Sequence, residues 1–130
     1  MTLGLSSGAI ITPVLNAIRG TAWSAVPAGL YVKLHTADPG VGATAAAAGS
    51  ITRVVVTLAA PAGNAIAITG TPPAWTNGGA SESLTHISIW DAITGGAFLW
   101  SAILTAAQAW ASGNTFTLTS LGVALAPVAA

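Results

Sequence analysis

From Leu30 to His35 the side chains alternate, with Leu30, Val32 and Leu34 on one face and Tyr31, Lys33 and His35 on the other. A period of two predicts a half-buried strand. The Asp38-Pro39-Gly40 that follows predicts the turn that ends it: Asp can bond its own backbone, Pro fixes φ, and Gly accepts φ > 0. Comparable runs recur along the chain. Ile51–Leu58 is rich in β-branched residues, and Asn64–Thr69 puts Ile66 and Ile68 on one face. Leu84–Trp90 sets Ile87 and Ile89 against His86, Ser88 and Trp90. Ala97–Leu104 follows Asp91–Gly96, whose Asp and paired glycines are hairpin-turn chemistry. Asn114–Ser120 sets Phe116 and Leu118 against Thr115, Thr117 and Thr119, and Leu121–Leu125 is a last short apolar run.

Helical spacing is confined to two places. In Thr12–Gly20, Thr12 can cap, Pro13 suits the first turn, Val14, Leu15 and Ile18 share a side, and Gly20 suits the position past the end. Arg19 would complement the dipole at that end. Thr105–Ala111 is a second, alanine-based possibility closed by Ser112-Gly113. Seven to eight short strands without long helical crossovers predict a mainly β protein, an antiparallel β-sandwich with a short N-terminal helix. Residues 1–130 read as one domain, with 1–20 as an N-terminal helical arm. The alanine-rich Val41–Ser50 between two strands reads as an exposed loop, ordered against a neighbour if at all.

Charge changes this picture most. Only 5% of residues are charged, against about 25% in an ordinary globular chain. Arg19, Lys33, Arg53, Asp38, Glu82 and Asp91 are the whole set, and they cancel. So neutral a surface favours association, which points to copies of the same chain as partners. It also lacks the basic patch that draws a protein to nucleic acid or anionic lipid, so neither is expected as a partner. Ala92–Ala111 is charge-free and long enough to span a bilayer. It is interrupted by Gly95-Gly96, Ser101, Thr105 and Gln108 and has no Lys or Arg flank, so no membrane span is expected. The first residues lack the positive region of a secretory signal. With no cysteine, disulfides, thiolate metal sites and a Cys nucleophile are excluded.

Candidate chemistry is sparse. No G-x-S-x-G elbow follows a predicted strand, and neither His35 with Asp38 nor His86 with Asp91 has a serine at a triad-like spacing. Those four residues with Glu82 could supply metal ligands, but no helical or EF-hand spacing brings them together. The reading is no enzyme, no metal and no cofactor. Trp23, Trp75, Trp90, Trp100 and Trp110 suit core packing first, subunit contact second and ligand stacking third. Trp75, Trp90, Trp100, Trp110 and His35 are the candidate subunit contacts.

The segments LYVKLHTADPG, TRVVVTL, AWTN, THISIWDAITGGAFLWSAIL and SGNTFTLTSLGVAL, within Thr12–Leu125, resemble a family of small virion proteins of tailed bacteriophages, especially phages of actinobacteria. Members are commonly labelled minor tail or tail-fibre proteins. The alanine-rich 41–50 loop and the scarcity of charge depart from it. The resemblance implies a structural component on the particle surface, partnered by itself and by other virion proteins, with no catalytic residues to carry over. A capsid decoration protein on the head is the alternative within that class. A module that stacks tryptophans on host cell-wall sugars is the alternative outside it.

Overall fold

The alternating segments form antiparallel ladders. In the computed structural model, whose described residues are 4–23 and 27–124, nine strands occur in order: β1 (Gly4–Leu5), β2 (Leu30–His35), β3 (Val54–Val56), β4 (Ala65–Ala67), β5 (Ala74–Thr76), β6 (Glu82–Trp90), β7 (Phe98–Trp110), β8 (Thr115–Thr117) and β9 (Gly122–Ala124). A five-stranded sheet has the order β1-β7-β6-β2-β3, and two ribbons pair β4 with β9 and β5 with β8. The mainly β, sandwich-like architecture expected from the sequence is therefore the one observed. Leu125, placed in the last apolar run, lies outside the described residues.

Register puts the predicted apolar face together. Val32 lies opposite Ile89 and Leu34 opposite Ile87, while across the next ladder Ile89 lies opposite Trp100 and Ile87 opposite Ala102. These side chains share one core with Trp75, Leu118 and Leu121 from the two ribbons and the segments beside them. That is the physical reason for two layers: each ribbon is too small to bury an apolar face by itself, and the sheet offers it one. Full burial of a Leu or Ile here contributes roughly 1.5–3 kcal/mol. The turn predicted at Asp38 is present, with the Gly40 N–H donating to Asp38 Oδ1 at 2.9 Å and Gly40 at φ 59°. The 91–96 hairpin turn is closed by Ala97 N–H donating to Asp91 Oδ1 at 2.6 Å.

Three expectations are corrected. The helix starts earlier than Thr12: Ser6 accepts from Ala9 N–H and caps a π-helical turn, Ser7–Ile11, which runs into α1, Thr12–Ile18. Thr12 is thus internal and does not cap. The far end matches, because Gly20 at φ 88° lets its N–H reach Ala17 O at 3.0 Å and the Thr21 N–H reach Asn16 O at 2.8 Å. Thr105–Ala111 is strand up to Trp110, not helix, because Gln108, Ala109 and Trp110 pair with Leu84, Ser83 and Glu82. Weak alanine propensity yields to a ladder with a partner in reach. The Val41–Ser50 loop, finally, is ordered by its own chain. Ala47 is fully buried and its N–H donates to Leu34 O at 3.0 Å, while Thr36 N–H donates to Ala45 O at 2.9 Å.

Candidate functional site

The loop's small residues have a packing reason. Gly42, at φ 82°, lies so close to the sheet that a Cβ there would run into the Trp90 indole and sit 3.0 Å from Phe98. The backbone at Gly42 is therefore laid close on the Trp90 face of the sheet, which a glycine permits, while Ala46 pairs edge-on with His35 and Ala47 joins the core. Glu82 clips the loop's far end, accepting from Ala48 N–H at 3.1 Å and Gly49 N–H at 2.8 Å.

Beneath the loop lies a buried polar network built on His35. The His35 Nδ1–H donates to Thr44 O at 2.8 Å, which leaves Nε2 as the acceptor for the Ser88 hydroxyl at 2.7 Å. Ser88 Oγ in turn accepts the Trp90 Nε1–H at 2.9 Å. Every donor and acceptor in this chain is matched only with a neutral His35. Burial accordingly holds the His35 pKa below its ordinary value, with Lys33 adding to the depression and the bond to Thr44 opposing it. A Ser–His contact is chemically suggestive, but both side chains are fully enclosed and no substrate atom can reach them.

The tryptophans are placed with equal clarity. Trp75, Trp100 and Trp110 are buried in the chain's own core, as is His35 beneath its loop. Of these, Trp100 also lines an open apolar cleft. Trp90 is half-buried, with Arg53 stacked 3.7 Å above its ring and Phe98 edge-on. Arg53 also donates to Ala92 O at 2.8 Å and Gly95 O at 2.6 Å, so it ties the hairpin turn to the sheet. Desolvation lowers its pKa, and the nearby Asp91 charge opposes that. No flat, free indole face is left at Trp75 or Trp110 for a sugar to stack on. The three acids each accept backbone N–H groups, Asp38 in its turn, Glu82 on the loop and Asp91 in the hairpin. Among the described residues no three His, Asp or Glu side chains come together as a metal site, and no helix is long and apolar enough to cross a membrane.

A further concavity lies elsewhere, among the described residues. An apolar cleft of about 850 Å³ opens between the N-terminal segment (Leu5, Ile10, Val14), β7 (Leu99, Trp100) and the β4–β9 ribbon (Ile66, Val123). Among the described residues no charged residue lines it. The indole N–H groups of Trp23 and Trp100, which also line it, are buried without a hydrogen-bond partner. Sequence reasoning missed this cleft, because its walls come from three regions far apart in the chain.

A two-layer β-fold with its polar groups spent on turns and loop clips is built to hold a shape. The model of one protein family, described as podophage GP4 fiber I protein gp80, matches residues 7–126. The chain belongs to this family. The family resemblance read from the sequence is thus shown at the level of a phage fibre-type virion protein, and a fibre family is a structural one. Comparison with curated proteins finds no match to the chain. For a fibre protein, the turn-bound acids and the hydrogen-bonded His35–Ser88–Trp90 network are the expected use of so few polar residues.

Proposed function

We propose that the chain is a structural component of the phage tail, of minor tail or fibre type, that assembles by self-association and by contact with other virion proteins at the particle surface. The observation that carries this reading is the fibre-family match over residues 7–126. The surface supports it. Ile11, Leu15, Ile18, Val41, Ile51, Val55, Ile93 and Ile103 are all exposed on a chain with six charged residues in all, three basic and three acidic. So many large apolar side chains without intervening charge mark surfaces that are covered in an assembly. Gold-labelled antibody on intact particles tests the location. Label along the tail is the expected result; label on the head would replace this reading with that of a capsid decoration protein.

A further inference from the structure

The loop between β2 and β3 is anchored at two points with a looser stretch between them. Pro39 is fully buried, and Ala47 belongs to the core, its N–H donating to Leu34 O at 3.0 Å. No side chain of 40–46 belongs to the core or packs against it. Segments with so few buried apolar contacts open locally at low cost. The stretch is also strained, since Ala45 sits at φ 50°, the left-handed region that disfavours a residue with a Cβ. Two polar contacts hold it in place. Thr36 N–H donates to Ala45 O at 2.9 Å, and His35 Nδ1–H donates to Thr44 O at 2.8 Å, next to the strained residue.

The histidine hold suits a neutral ring. Nε2 accepts the Ser88 hydroxyl hydrogen at 2.7 Å, so a proton on Nε2 removes that acceptor and leaves a charge in a fully buried position, which is costly without solvation. On one side of the ring are β2 and β6, fixed by their ladder. On the other is the 40–46 stretch, through the Thr44 carbonyl. Lifting that stretch brings water to the imidazolium without parting the sheet. We infer that 40–46 is an acid-released flap: protonation of His35 frees it to swing between Pro39 and Ala47, uncovering the imidazole, Ser88 and the Trp90 indole.

The surrounding groups push the same way. Lys33 lies two residues back along β2, and His86 is paired with His35 from β6. On β7 the residue opposite His86 is Ile103, which carries no charge. Asp38 in the loop accepts from Gly40 N–H, and Glu82 of β6 accepts from Ala48 and Gly49 N–H. Among the described residues, neither carboxylate is bonded to the ring. Burial lowers the His35 pKa most, Lys33 and His86 add to that, and the Thr44 and Ala45 carbonyls oppose it. The closed form therefore binds a proton less readily than the open form, whose solvated ring has the ordinary value of about 6.5. The preference for closure is fully present above that value. It is lost as pH falls toward the lower closed-form value, by at most about tenfold per pH unit for one proton. The device belongs to the single chain and does not depend on where on the particle the protein sits.

Amide hydrogen exchange read by NMR on the purified chain from pH 7.5 to 5, corrected for intrinsic exchange rates, tests it. Protection at the Thr36 and Thr44 amides should fall by up to about tenfold per pH unit below about pH 6.5. The Ala47 amide and the β6–β7 ladder should keep theirs over the same range. The chain has two histidines, and histidine is the side chain that ordinarily titrates in this window, so two variants assign the effect. His35→Gln should abolish the pH dependence, and His86→Gln should retain it. Unchanged protection at Thr36 and Thr44 in the wild type would overturn the inference. So would a fall shared equally by the ladder, which is global unfolding and not release of a flap. A pH dependence that survives in His35→Gln or vanishes in His86→Gln would overturn it as well. If His35→Gln does not fold, His86→Gln still decides, because His35 is then the one histidine left.

Discussion

Acidification should destabilise this protein through His35. The folded state holds the imidazole neutral: Nδ1–H is bound by the Thr44 carbonyl and Nε2 takes the Ser88 hydroxyl proton. A second proton on Nε2 would turn it into a donor facing Ser88 Oγ, which already accepts from Trp90. The Ser88 hydroxyl hydrogen would then have to turn away. The charge would also sit in a fully buried position, with Lys33 and His86 as the charged and titratable neighbours that disfavour it. The folded-state pKa therefore lies below that of the unfolded chain, and the unfolded chain binds more protons as pH falls. Stability is fully present above the unfolded value of about 6.5 and declines below it, with a limiting slope of about 1.4 kcal/mol per pH unit for one proton. The decline ends once pH passes below the depressed folded value. Urea unfolding from pH 7.5 down to 5, read by tryptophan fluorescence, is the assay, with His35→Gln as the control that should flatten the dependence. An equally steep decline in His35→Gln, or a flat wild-type profile, would refute the assignment of a neutral, buried His35.

Further outcomes follow from the same structure. Glu82→Ala should cost about 1.5–3 kcal/mol by releasing its charge-assisted bonds to Ala48 and Gly49, and hydrogen exchange should rise in 44–49 before it rises in β2. Gly42→Ala should cost about 1–3 kcal/mol from overpacking and backbone strain, with a change in near-ultraviolet circular dichroism from Trp90; unchanged spectra would mean the loop does not lie on that ring. Leu34→Ala, at a fully buried site opposite Ile87, should lower the urea-derived stability by about 2–5 kcal/mol with the slope unchanged.

Much of the fold was legible because strand periodicity is local. Val32, Leu34, Ile87 and Ile89 declared their face through alternation, and Asp38-Pro39-Gly40 and Asp91–Gly96 declared their turns through backbone chemistry. β1 and β5 were not legible: two or three residues are too few to show a period, and β5 is placed by pairing with β8. The candidate site was less legible still. His35 and Ser88 sit at positions that alternation assigns to the outer face, and they are buried because the loop that follows His35, far in sequence from Ser88, folds over them.

By itself, then, the sequence determined the class of structure, the inward faces, the principal turns and the absence of thiol or basic-patch chemistry, since these depend on spacing and residue type alone. Tertiary structure decided which apolar side chains stayed outside and which polar ones went in. Ile11, Leu15 and Ile18 have helical spacing like that of any packed helix, yet they stay exposed among the described residues. Burial depends on what arrives from elsewhere in the chain, and no local pattern of residues encodes that arrival.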